Sequence, residues 1–126
     1  MIAIKQISSE MAQIIMQTSS LDERKLCSGL KQFYCDGESC SGVYTVTDAQ
    51  IGEKSINGVI YQACLENDCD YVAKWQSKID IAIAEAKVQQ FAAVHNLAPK
   101  VQQIWVCQEG AIIIMDAMSI AVSRLI

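Results

Sequence analysis

Asp70-Tyr71-Val72-Ala73-Lys74-Trp75, followed after Gln76 by the long segment Ser77 to His95, decides how this chain folds. The first piece is rich in residues that suit a pleated, half-buried strand. The second carries Ile81, Ala84, Val88, Phe91, Ala92 and His95 at helical spacing. Ser77 with Asp80 predicts a capping box at the helix start, and Pro99 stops its continuation. One residue in each piece is out of character. Lys74 stands in an apolar strand, where alternation puts it on the same face as Val72. Glu85 follows Ile81 by one helical turn and precedes Val88 by another, so it faces with the apolar stripe. A carboxylate aimed at a core is costly unless a cation meets it. Lys74 and Glu85 are therefore expected to form a partly buried ion pair between strand and helix.

Outward from this pair, the chain reads as further strands. Val43 to Thr47 is β-branched and aromatic, and Val59 to Cys64 is its returning partner. Between them Gly52 to Gly58 is a turn, with Asn57-Gly58 a strong hairpin signal. Glu66-Asn67-Asp68 makes a polar turn into the Lys74 strand. Val101 to Cys107 and Ala111 to Asp116 are apolar runs around Glu109-Gly110, a second hairpin. Upstream, Ile4, Ile7, Met11, Ile14 and Ile15 predict a helix over residues 2–17. Ser20 with Glu23 caps a second helix, Leu21 to about Gln32, with Leu26, Leu30 and Phe33 on one face. Cys35 to Gly42 reads as a loop. The expected fold is α+β: a five-stranded antiparallel sheet with one long packed helix, preceded by two extra helices. It divides into a helical extension (1–42), a sheet domain (43–118) and a short tail (119–126).

Composition narrows the function. The chain has 126 residues, 52% of them hydrophobic, which suits one compact domain and excludes a disordered tail. Ten Lys and Arg stand against 14 Asp and Glu, with no basic stripe, so neither nucleic acid nor a membrane surface is an expected partner. Residues 1–16 lack a continuous signal-peptide core, and the longest apolar run near the C-terminus, Ala111 to Met115, is far short of a membrane span. An intracellular protein with reduced thiols is expected. The six cysteines leave two alternatives open. Cys35-x4-Cys40 and Cys64-x4-Cys69 could share a metal, or Cys64 and Cys69 could bridge their hairpin in oxidised material.

Taken together, these segments resemble the N-terminal lobe of the protein-kinase fold. Gly52 to Tyr61 looks like its glycine-rich loop, and Tyr71-Val72-Ala73-Lys74 like its third-strand lysine segment. Glu85 looks like the lysine's partner on the family's C helix, and Ile112 to Met118 like its fifth strand, gatekeeper and hinge. Tyr61-Gln62-Ala63-Cys64 to Cys69-Asp70-Tyr71-Val72-Ala73-Lys74 and Asn96-Leu97-Ala98-Pro99-Lys100-Val101 look like segments of serine/threonine kinases of large DNA viruses. The resemblance covers roughly residues 43–118. It implies an ATP site formed by Gly52, Gly58, Ile60, Val72, Lys74, Glu85, Met115, Asp116 and Met118, and a location in host cytoplasm or virion. Two departures shape the expected activity. Lys54 stands nearest the family's central loop glycine. The His-Arg-Asp and Asp-Phe-Gly segments, which supply the base and magnesium ligands, have no counterpart before Ile126. The sequence reading is thus a pseudokinase-like binding or regulatory module with no catalytic residue of its own. The alternatives are the ATP-binding half of a split serine/threonine kinase and a cysteine-based, metal-bound interaction protein. Self-association as a homodimer is expected too, through the first helix (Ile4, Ile7, Met11, Ile14) and the tail (Ile120, Val122, Leu125, Ile126), or binding to another protein.

Overall fold

A computed structural model describes residues 5–6, 31–35, 42, 44–51 and 59–117. In chain order these form β1 (Lys5–Gln6), β2 (Gln32–Cys35), β3 (Tyr44–Gln50), β4 (Val59–Leu65), β5 (Asp68–Gln76), helix α1 (Ile79–Val94), β6 (Val101–Val106) and β7 (Ala111–Asp116). The strands make one sheet in the order β1-β2-β6-β7-β5-β4-β3, and every pairing is antiparallel. Six of its strands have four residues or more, and the two-residue β1 lies at one edge.

The expected five-stranded sheet with two preceding helices is therefore corrected. Gln32–Cys35, expected as the end of a helix running into a loop, instead pairs with β6, with Phe33 opposite Trp105. Its burial alternates: Phe33 and Cys35 are fully enclosed while Gln32 is exposed. That period of two over four residues is a strand signature; the Leu26, Leu30, Phe33 spacing masked it. Lys5–Gln6, inside the predicted first helix, is also strand. Lys31, at the end of the predicted second helix, donates its N–H to the Val106 carbonyl at 2.8 Å, and the rest of both predicted helices, the Gly52 to Gly58 turn and the tail lie outside the described residues.

β7 is the keystone. It pairs with β5 on one side and β6 on the other, and Ala111 to Met115 are all buried. An unbroken apolar run, Ala-Ile-Ile-Ile-Met, is what a strand covered on both faces requires. The hairpin into β7 closes through a Cys107 N–H to Gly110 carbonyl bond of 2.8 Å. Gly110 is needed because a Cβ there would sit 2.6 Å from the Gln76 carbonyl oxygen. Among the described residues, no helix is long and apolar enough to cross a membrane.

The two sheet faces carry different cores. One is aromatic, built on Phe33, Tyr44, Trp105 and Ile112, with Tyr71 and Trp75 packed against it. The other lies under α1 and is aliphatic, with Val101, Ile104, Val106, Ile113 and Met115 against Ala82 and Ala86. The small alanines let the helix lie close to the sheet. Gln90 adds a fixed point, its Oε1 accepting the Val101 N–H at 2.9 Å.

The helix differs from expectation at both ends and around its girdle. Its N-cap is Lys78, with no side-chain capping bond, so the Ser77–Asp80 box does not form. Its C-terminus is closed by Asn96 at φ 60°, with Leu97 N–H donating to the Ala92 carbonyl and Asn96 N–H to the Ala93 carbonyl. Asparagine tolerates this left-handed position, and the two bonds satisfy carbonyls the helix leaves open. The predicted core stripe also faces the other way. Ile81, Val88 and Phe91 are exposed, whereas Ile79, Ala82, Ile83, Ala86 and Gln90 meet the sheet. Both sides of the helix are apolar, and spacing alone cannot choose between two apolar sides.

The thiols expected to be reduced are bonded. Cys64 and Cys69 form a disulfide across the β4–β5 turn, and Cys35 and Cys107 are also disulfide-bonded. None of the described cysteines is free.

Candidate functional site: the strand lysine and the helix glutamate

Lys74 sits in mid-β5, opposite Ile60 of β4 and Ile113 of β7. Two residues earlier, Val72 stands opposite Gln62 and Met115. Alternation along each strand then places Ile60, Val72, Lys74 and Met115 on one face, the face that α1 covers. Helix α1 brings Glu85 over that face, and Lys74 Nζ donates to Glu85 Oε2 at 2.9 Å. The side chains are 19% and 33% exposed. That puts the pair at the border of the helix footprint rather than inside the core. Partial burial strengthens the attraction over that of a surface pair without the full cost of desolvating two ions.

Beside the pair runs an open groove of about 570 Å³, lined by Lys74, Ala84, Glu85, Val88, Gln89, Ala92, Ala98 and Pro99. Its wall is held by Gln89, whose Nε2 donates to the Pro99 carbonyl at 2.9 Å and lies 3.2 Å from Met115 Sδ. None of Gln89, Ala98 and Pro99 was among the site residues expected from sequence. A glutamine pair, Gln89-Gln90, beside Val88 and Phe91 in the helix was the available signal, because buried amides need partners.

Of the sequence-derived site residues, the structure unites Ile60, Val72, Lys74, Glu85 and Met115. Asp116 departs from them. Its carboxylate accepts from Gln102 Nε2 at 2.8 Å, and its charge is felt by Tyr44 and Tyr71, which belong to the aromatic face. Burial pushes both phenols above their ordinary range, and neighbouring negative charge adds to this. Gly52, Gly58 and Met118 lie outside the described residues. His95 is the C-cap residue of α1, and its ring packs edge-on against Phe91 with centroids 5.3 Å apart.

The cysteine alternative meets a plain geometric fact. Cys64 and Cys69 are bonded to each other, so their sulfurs are not thiolates, the form that binds zinc. No group of three or more His, Cys, Asp or Glu that could hold a metal ion occurs among the described residues. Comparison with protein-family models, with curated proteins and with solved structures finds no match for the chain.

Proposed function

We propose that the chain is a kinase N-lobe-like binding module, in which Lys74 and Glu85 tie helix α1 to the sheet and the groove beside them suits an apolar polypeptide segment. The observation that carries this reading is the charge inventory of the groove. Among its described lining residues Lys74 is the single cation, and Glu85 already holds it at 2.9 Å. The other lining groups are alanines, Val88, Pro99 and one amide. A triphosphate is recognised by several charge-assisted donors and by metal ions, and this surface offers one engaged ammonium. The resemblance itself is supported by order and placement: the lysine on the strand before the helix, the glutamate on the helix, and two strands after it.

On this reading the 126-residue chain transfers no phosphate by itself, since transfer rests on a positioned base and magnesium ligands as well as on the lysine. Mass spectrometry of peptide mixtures incubated with pure protein and Mg-ATP is expected to find no added phosphate. Of the two locations the resemblance implies, the bonded cysteines favour a virion over a reducing host cytoplasm.

The alternative, an ATP-binding half of a split serine/threonine kinase, draws support from the convergence of Ile60, Val72, Lys74 and Met115 on one face. Thermal unfolding with millimolar Mg-ATP separates the two. A ligand that binds only the native state raises its stability by mass action. The binding-module reading predicts the same Tm with and without nucleotide. A nucleotide-dependent rise that Lys74→Met abolishes would replace it with the alternative.

A further inference from the structure

Helix α1 presents to water a face that soluble helices normally bury. Val88 is 70% exposed, Phe91 58% and Ile81 41%, and Leu97, just past the helix, is 72% exposed. With Val94, half exposed, these side chains leave on the order of 500 Å² of apolar surface in solvent, the scale at which patches on soluble proteins mark interaction sites. No charged residue interrupts Ile81, Ala84, Val88 and Phe91, which share this side of the helix.

We infer that this face pairs with the same face of a second copy, the two α1 helices running antiparallel about a twofold axis near Ala84. Three observations select a second copy as the occupant. The first is continuity: Ile81, Ala84 and Val88 form an unbroken apolar strip within residues 79–88, the stretch that two antiparallel copies of α1 share about this midpoint. The second is charge. Asp80 and Lys87 flank the apolar strip on one side, both exposed, and neither has a partner among the described residues. Seven residues apart, they are separated by about 10 Å along the axis and cannot reach each other on one helix. Antiparallel packing about a point midway between them sets Asp80 of each copy against Lys87 of the other. On the opposite flank Glu85 is already neutralised by Lys74, so no like charges oppose. The third is shape. The midpoint falls beside Ala84, an exposed small residue that lets two helix backbones approach, with Ile81 and Val88 on either side of the crossing. Self-association was expected from sequence through the first helix and the tail; this inference places it on α1 instead, where Ala84 and Val88 also line the groove, so a second copy is the polypeptide that the proposed binding module takes, and it does not depend on whether nucleotide binds.

Sedimentation equilibrium from low micromolar to several hundred micromolar tests it. The wild-type mass is expected to rise toward twice 13.9 kDa with concentration. Val88→Glu, at an exposed site that leaves the circular dichroism spectrum unchanged, is expected to hold the chain at monomer mass. Lys87→Asp sets carboxylates against carboxylates and is expected to weaken the dimer by about ten-fold. The swap Asp80→Lys with Lys87→Asp restores opposite charges and is expected to return affinity to within about three-fold of wild type. A mass of 13.9 kDa at every concentration would overturn the inference and leave the face to a different protein. A dimer indifferent to Val88→Glu, or a swap no better than Lys87→Asp alone, would overturn it equally.

Discussion

The two faces of this sheet are built from the same strands yet solve different problems. The face away from α1 stacks Phe33 on Trp105 with ring centroids 6.0 Å apart and sets Tyr44 edge-on to Tyr71 at 5.1 Å. Its buried amide among the described residues, Gln103, works on both sides: it accepts from Trp105 Nε1 at 2.9 Å and donates to the Gly42 carbonyl at 2.7 Å. Cys35 and Cys107 sit in the same cluster, both in disulfides. The face under α1 is aliphatic and has an ion pair at its margin. Large rings and cross-links hold the first face together. The second uses small alanines, amide pins and one charged pair to fix a helix whose outer side remains apolar. The first face reads as the seat of stability, and the second is the face to which the proposal assigns binding.

On that division the largest loss of stability comes from the aromatic face. Trp105→Ala removes a fully buried indole and the hydrogen bond it donates to Gln103 Oε1. Urea unfolding is expected to show a loss of about 3–5 kcal/mol; a loss under 1 kcal/mol would erase the contrast between the faces. Next comes the β4–β5 clip. Replacing Cys64 and Cys69 together by serine frees a short loop in the unfolded chain and is expected to cost about 2 kcal/mol. Smaller again is Glu85→Gln, which leaves the Lys74 ammonium facing an amide. At a site neither fully buried nor fully exposed, about 1–2 kcal/mol is expected. Least affected is Val88→Glu, expected to lie within about 0.5 kcal/mol of wild type when measured as monomer.

Alkaline titration sharpens the same comparison. The folded Tyr44 phenol has its pKa raised above the ordinary 10.0, chiefly by burial and then by Tyr71 and the nearby carboxylates. Above pH 10 the unfolded chain releases this proton before the folded one does, so stability is complete below pH 10 and falls as pH rises past it. Tyr44→Phe is expected to make that decline shallower in urea unfolding between pH 9 and 11.5. An unchanged slope would mean that the aromatic face does not hold the neutral phenol.

The Lys74–Glu85 pair was legible in the sequence because both residues break an apolar pattern, and unlike charges in such places find each other. The reason given for Glu85 was less accurate than the pairing: it stands at the helix border, 33% exposed, rather than in the core stripe. The two apolar runs on either side of Gly110 were also legible, as continuous hydrophobic strands bounded by a turn. β2 was not, because Gln32-Phe33-Tyr34-Cys35 is too short for its alternation to outweigh the helical spacing before it. The buried side of α1 was hidden by its composition, since alanine and isoleucine occur all round it. The Cys64–Cys69 bridge was only one of the alternatives left open, because cysteine spacing is compatible with thiol, metal and bridge alike, and only the fold brings the two sulfurs together.

A double-mutant cycle on Lys74→Met and Glu85→Gln, followed by urea unfolding with and without millimolar Mg-ATP, tests most directly the claim that this pair ties α1 to the sheet. Neighbours in direct contact show a coupling energy that independent sites do not. The account predicts a favourable coupling of about 1 kcal/mol that is the same in both conditions. A coupling near zero without nucleotide, or one that appears only when Mg-ATP is present, would contradict it.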